Sequence, residues 1–216
     1  MLSGKKAVIF DMDGLMIDSE RVTYEWYRRY LQKRGEDMTV DFYKNLLGKI
    51  QPVCKSIIAN EYGEDFPYEE CIDYVHKGMA EEFETKGVPL KKGIVQLLKY
   101  LKENNYKTMV ATSSNRDRVD VILKQAGIAQ YFDGEICGDE VVNGKPNPEV
   151  FLKACKKVNV QPEEALVLED SEAGIKAAHD GGIKVICIPD MKYPEEEYRK
   201  MTEEIFEDLS KVVTYF

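Results

Sequence analysis

Residues 7–10 (Ala-Val-Ile-Phe) form a continuous apolar run that stops abruptly at Asp11-Met12-Asp13-Gly14. A run of that length, bounded by a turn signal, suits a buried parallel strand that delivers acidic residues to a loop. Comparable runs recur at 108–111, 165–168 and 183–188. Between them the apolar period changes. Ile94, Leu97, Leu98 and Leu101, and then Val119, Ile122, Leu123 and Ala126, fall at i, i+3, i+4 and i+7, the stripe of an amphipathic helix. Asn147 and Pro148 suit the N-cap and first turn of a further helix with Val150, Phe151, Ala154 and Val158 on its inner face, and Gly181-Gly182 closes the next one. The alternation from about residue 90 onward, joined to the first strand, predicts an α/β fold. Its doubly wound parallel sheet would bind a ligand beyond the carboxyl ends of the strands.

Residues 19–86 break the alternation and read as successive amphipathic helices, the first marked by Val22, Trp26 and Tyr30 at a spacing of four. The expected organisation is therefore an α/β core of residues 1–17 and 90–216 with a helical cap domain of residues 18–89 inserted after the first strand. The connections Gly14 to Ser19 and Val88 to Gly93 would serve as hinges.

Composition narrows the function classes. With 44% hydrophobic and 32% charged residues the chain has enough apolar side chain for a packed core. A net charge of -9 argues against nucleic acid or an anionic membrane as partner. Five scattered cysteines without a CxxC pair argue against a disulfide framework or a zinc site. The four apolar residues before Asp11 are too few for a signal peptide or a membrane span, so a cytoplasmic protein is expected; a monomer is the simplest expectation, with an oligomer left open.

The chemistry lies at the strand ends. Asp11 and Asp13, one residue apart just after a strand, can point into one crevice, and their combined charge demands a cation. Magnesium would let Asp11 approach a phosphoryl group that it would otherwise repel, which makes Asp11 the candidate nucleophile. Asp13 is then placed to protonate the leaving oxygen and later to take a proton from water, while its backbone carbonyl can bind the metal. At the end of the second core strand, Thr112, Ser113, Ser114 and Asn115 offer a hydroxyl and a run of backbone N–H groups suited to phosphate oxygens. Lys145, held between Gly144 and Pro146, can neutralise both Asp11 and a phosphate. Asp170 is the expected direct metal ligand, with Glu169 as a supporting or alternative one. Each segment alone has a plainer reading, as a turn, a helix cap or a solvated lysine. All four fall at carboxyl ends of expected strands, and that coincidence carries the case.

With these motifs the chain resembles the haloacid dehalogenase superfamily, in the subgroup with a helical cap inserted after the first motif. The resemblance spans essentially the whole chain through Asp11-Met12-Asp13-Gly14, Thr112, Lys145 and Glu169-Asp170. It implies a nucleophilic Asp11, an acid/base Asp13, phosphate binding by Thr112 and Lys145, and magnesium held by Asp11, Asp13 and Asp170. Within the superfamily the second aspartate marks phosphate transfer. Asp18-Ser19-Glu20 and the Gly144-Lys145-Pro146-Asn147-Pro148 stretch are similar to the branch of sugar-phosphate phosphatases and β-phosphoglucomutase. In the mutases a cap histidine and an arginine after the Leu-x-Gly turn hold a bisphosphorylated intermediate, and those places here carry Thr23 and Gln51. The resemblance therefore implies a phosphatase acting on a small phosphorylated metabolite, with a mutase as the alternative. Cap contacts to substrate are expected from Glu20, Lys49, Gln51 and Lys77. A phospho-receiver module combines similar residues, but it would carry its acidic pair at the first strand and its phosphoacceptor later.

Overall fold

The computed structural model describes residues 4–49 and 51–216. The chain divides into two compact units, one of Met1–Asp18 with Val88–Phe216 and one of Ser19–Gly87. In chain order, β1 (Ala7–Phe10) opens the first unit, and the second supplies α1 (Ser19–Gln32), α2 (Val40–Tyr43), α3 (Gln51–Tyr62) and α4 (Tyr68–Lys86). The first unit resumes with α5 (Ile94–Glu103), β2 (Lys107–Ala111), α6 (Arg116–Gln125), β3 (Gly134–Ile136), α7 (Glu149–Lys157) and β4 (Ala165–Glu169). It ends with α8 (Glu172–Asp180), β5 (Lys184–Cys187), α9 (Glu196–Arg199), β6 (Glu204–Ile205) and α10 (Leu209–Val212).

The sheet runs in the order β3-β2-β1-β4-β5-β6, and every neighbouring pair is parallel. This is the doubly wound order, with β1 at the point where the strand sequence reverses. All four residues of β1 are 0% exposed, the continuous burial that a parallel strand covered on both faces requires. Alternation then splits the core. Ala7, Ile9, Met109, Ala111 and Val167 join Phe151, Ala154, Ile175 and Ala178 of α7 and α8 in one cluster, while Val8, Phe10 and Val110 point to the opposite face. There α5 packs on β2 and α10 on α5. The expected stripe of α5 is the buried one: Ile94, Leu97, Leu98 and Leu101 are at most 1% exposed.

Three local readings differ from the sequence expectation. Helix α7 starts one residue late, with Pro148 at the cap position and the Asn147 side chain accepting the Glu149 N–H at 3.0 Å. The short β3 and β6, of three and two residues, went unanticipated because period-2 alternation needs about four residues to register. In α1 the buried face is Tyr24, Tyr27, Tyr30 and Leu31, so the spacing-four set Val22, Trp26 and Tyr30 marks its edge.

The second unit contains helices and no strand among its described residues. Its α1 packs on α4, with Trp26 lying against Gly78, where a Cβ would lie 2.2 Å from the indole ring. The indole N–H donates to Glu82 at 2.9 Å. In the first unit the two segments that lead to the helical block run together: Asp18 N–H donates to Pro89 O at 2.8 Å, and Lys91 N–H to Met16 O at 2.9 Å. No described helix is long and apolar enough to cross a membrane. All five cysteines are buried free thiols.

Burial decides which side chains carry the stability of the sheet unit. Leu97→Ala removes a side chain with 0% exposure and is expected to lower the unfolding free energy by about 2–5 kcal/mol. Val121→Ala, at a position 51% exposed, should change it by about 0.5 kcal/mol or less in the same denaturant titration.

Candidate active site

The parallel register brings the acidic motifs together. Phe10 pairs with Leu168 across β1 and β4, so Asp11 and Glu169 leave adjacent strands at the same level, and the Asp11 N–H extends the ladder to Leu168 O at 3.1 Å. Lys145 reaches this edge from the loop before α7. Its Nζ lies 2.5 Å from Asp11 Oδ1, 2.6 Å from Glu169 Oε1 and 3.2 Å from Ala111 O. An ammonium has three donors, and all three are placed. The pairs are nearly dry, with side-chain exposures of 6% for Lys145, 9% for Asp11 and 1% for Glu169. The Lys145 ammonium also sits 4.8 Å above the Phe151 ring centre, a cation–π contact.

Two glycines make room for the acids. A Cβ on Gly14 would fall 2.3 Å from Asp170 Oδ2, and the positive φ of 79° suits glycine independently. A Cβ on Gly174 would fall 1.9 Å from the Glu169 carboxyl carbon. That close approach lets the start of α8 hold Glu169: its Oε2 accepts the Asp170 N–H at 2.9 Å, the Ser171 N–H at 2.8 Å and the Ser171 hydroxyl at 2.9 Å. The same Ser171 Oγ accepts the Gly174 N–H at 3.1 Å and caps the helix. Glu169 is thereby committed on both oxygens. Asp11, Glu169 and Asp170 can each present a carboxylate oxygen within 4.8 Å of the others.

The local electrostatics follow from this count. Burial pushes the Asp11 carboxyl up to about 7, with Lys145 opposing the rise and Glu169 adding to it. Burial alone would lower the Lys145 ammonium, but Asp11 and Glu169 outweigh it and hold it above its ordinary value. One buried cation thus faces two buried carboxylates, with a third at their side. A divalent cation with oxygen ligands fits the surplus negative charge.

Asp13 is held separately. Its Oδ2 accepts the Ser114 hydroxyl at 2.7 Å, and its Oδ1 accepts from the Arg118 guanidinium at 2.5 Å. Arg118 was not singled out from the sequence, although a cation in the first turn of a helix runs against the helix dipole and so carries a signal. Thr112 is 2% exposed, directly after β2, and its Oγ1 accepts the Ser114 N–H at 3.1 Å. The Thr112 N–H donates to Ile136 O at 3.1 Å. Two of the backbone N–H groups expected to face a phosphate, those of Thr112 and Ser114, are therefore spent inside the sheet unit, which leaves the Thr112 hydroxyl hydrogen and the N–H groups of Ser113 and Asn115 as the donors of that run. Ser113 is exposed, and its carbonyl backs onto Gly138, where a Cβ would lie 2.2 Å from it.

The four cap residues belong to the helical unit. Glu20 is half-buried in α1 and accepts the Tyr43 hydroxyl at 2.6 Å. Lys49, Gln51 and Lys77 are exposed. Thr23, at the place where the resemblance puts a mutase histidine, donates its hydroxyl to Ser19 O at 2.8 Å.

Residues 8–188 match the family model described as haloacid dehalogenase-like hydrolase. A phosphorylated carbohydrates phosphatase of Thermotoga maritima is 33% identical over 184 residues, covering 84% of this chain and 83% of the relative. The validoxylamine A 7'-phosphate phosphatase of Streptomyces hygroscopicus is 26% identical over 224 residues, covering 96% and 95%. Among solved structures, one from Thermotoga maritima named as a proposed β-phosphoglucomutase superposes with a TM-score of 0.81 at 27% identity, covering 97% of each chain. With its doubly wound sheet, its strand-end acids and a family match across most of its length, the chain belongs to the haloacid dehalogenase-like hydrolases.

Proposed function

We propose that the chain is a magnesium-dependent phosphatase that hydrolyses a small phosphorylated metabolite, a sugar phosphate or similar monoester, through a phosphoaspartate on Asp11. The observation that carries the reading is the buried Lys145 ammonium bonded to both Asp11 and Glu169 beside Asp170. A structural ion pair needs one partner of each sign. Here the carboxylates exceed the cation, and a buried carboxylate without a matching charge is costly, so the surplus calls for a further cation. Asp11 and Asp170, with the backbone carbonyl of Asp13, would hold the magnesium, and Glu169 would support them through Lys145 and the start of α8. The ion would supply the charge neutralisation that lets a phosphate dianion approach a carboxylate.

The residues then divide the work. An Asp11 oxygen bonds to phosphorus as the bond to the ester oxygen breaks, and that oxygen takes its proton from Asp13. In the second half, water attacks phosphorus, its proton passes to Asp13, and the bond from phosphorus to Asp11 breaks. The Thr112 hydroxyl donates to a phosphate oxygen. Lys145 keeps Asp11 oriented and shares one of its donors with the phosphate when it arrives.

The helical unit of Ser19–Gly87 is read as the cap that selects the leaving group. The likeness to a structure named for a mutase supports a second reading, a β-phosphoglucomutase type. Against it stand Thr23, whose hydroxyl is already donated, and Gln51, neither of which supplies the positive charge that a bisphosphorylated intermediate calls for.

A panel of phosphorylated metabolites followed by free phosphate release tests the reading. Net phosphate from sugar monoesters is expected, whereas conversion of β-glucose 1-phosphate to glucose 6-phosphate with a bisphosphate primer and no net phosphate would favour the mutase. A chelator should abolish hydrolysis and added magnesium should restore it; full activity in chelator contradicts the metal assignment. Asp11→Asn should reduce turnover to background, and Asp13→Asn should lower kcat by about 10²- to 10⁴-fold with the circular dichroism spectrum unchanged. Normal steady-state rates in either variant contradict the roles given to these two carboxyls.

A further inference from the structure

Arg118 occupies the third helical position of α6, where the Asn115 side chain accepts its N–H at 3.1 Å and so sets the register of the first turn. A positive side chain at that end opposes the helix dipole at a cost of about 0.3–1 kcal/mol, so its retention calls for a compensating partner. The partner is Asp13. Arg118 Nη2 lies 2.5 Å from Asp13 Oδ1, Ser114 Oγ lies 2.7 Å from Asp13 Oδ2, and Arg118 Nε lies 3.2 Å from Ser114 Oγ. The three side chains close a ring in which a donor grips each oxygen of one carboxyl. Helical side chains lean toward the N-terminus of their helix, which is how residue 118 reaches back past the cap to the end of β1.

The neighbouring arginine shows that the ring is not a generic property of this turn. Arg116 is spent on Glu135, Glu140 and, through its backbone N–H, Asp139, none of which belongs to the acidic motifs. Arg118 alone of the two turns toward the acid/base carboxyl. A guanidinium is a rigid, permanently charged fork, and a serine hydroxyl can donate to Asp13 while accepting from Arg118, so the two together fix the plane of the carboxyl. Each carboxylate oxygen offers two acceptor sites, so both can be held from one side while proton transfer proceeds on another.

We propose that Arg118 is a positioning residue for Asp13: with Ser114 it orients the carboxyl that hands a proton to the departing ester oxygen. The inference rests on the acid/base role given to Asp13 above. As the bond from phosphorus to the ester oxygen breaks, the proton moves from Asp13 to that oxygen, and a misaligned Asp13 leaves the oxygen to depart as an alkoxide. The penalty then depends on the leaving group. An alkoxide needs the proton, whereas 4-nitrophenolate leaves readily without it.

The test compares kcat/KM, which reports the steps through phosphoaspartate formation, for 4-nitrophenyl phosphate and for the sugar phosphate turned over fastest in the panel. In Arg118→Met the loss on the sugar phosphate should exceed the loss on the aryl ester by about tenfold or more, a share of the 10²- to 10⁴-fold that proton transfer contributes. Arg118→Lys, which keeps one charged donor, should recover part of the difference. Arg116→Met, a loss of charge in the same turn, should show no dependence on the leaving group. Equal losses on both esters in Arg118→Met would mean a phosphate-binding or structural role, and unchanged rates would mean a surface ion pair; either overturns the proposal. The parent reading fails separately, through wild-type protein that hydrolyses neither ester or an Asp11→Asn variant that hydrolyses both.

Discussion

The site is organised by one buried ammonium. Lys145 lies within 2.6 Å of carboxylate oxygens on two neighbouring strands, and its third donor is aimed at the Ala111 carbonyl, which ends a third strand. Carboxylates packed this closely would repel strongly in a medium from which water is largely excluded. The lysine makes their approach tolerable without cancelling it, so the edge of the sheet remains negative at the place where a cation and then a phosphate are needed. Everything nearby serves that balance. Phe151 of α7 lies beneath the ammonium, and α8 begins with the serine that holds Glu169.

Much of the sequence around the site is explained by clearance. Gly14, Gly138 and Gly174 are each pressed against a group that an added Cβ would strike, namely Asp170, the Ser113 backbone and Glu169. The glycines after Asp13 and within the opening of α8 therefore belong to the electrostatics as much as to the turns, because they decide how near the carboxylates can come. Asp13 stands apart from the trio, gripped by Ser114 and Arg118, in a place suited to move protons while the others manage charge.

The doubly wound sheet could be read from the sequence because its four central strands are built around apolar runs and its helices carry clean stripes, such as Ile94, Leu97, Leu98 and Leu101. Asp11, Thr112, Glu169 and Asp170 stand at or directly after the carboxyl ends of β1, β2 and β4, where parallel strands export their chemistry, whereas Lys145 reaches them from the loop before α7 and was marked only by its place between Gly144 and Pro146. The edge strands β3 and β6 escaped notice for lack of length. Arg118 escaped for a different reason: its role depends on a side chain turning back across the helix cap to a residue 105 positions away, which no local pattern records. The engagement of both Glu169 oxygens also needed geometry, since only the hydrogen bonds reveal it. In the helical unit, Glu20 turned out to be paired with Tyr43, a contact 23 residues apart that spacing alone does not mark.

The central claim is that Asp11 carries the phosphoryl group in a covalent intermediate. Rapid quenching during turnover, reduction with borohydride and peptide mass analysis tests it directly, because borohydride converts an acyl phosphate into an alcohol and leaves a free carboxylate alone. The account requires homoserine in place of Asp11 in the quenched enzyme and in no other peptide. An unmodified Asp11 in enzyme that is releasing phosphate, or reduction at a different aspartate, would contradict it.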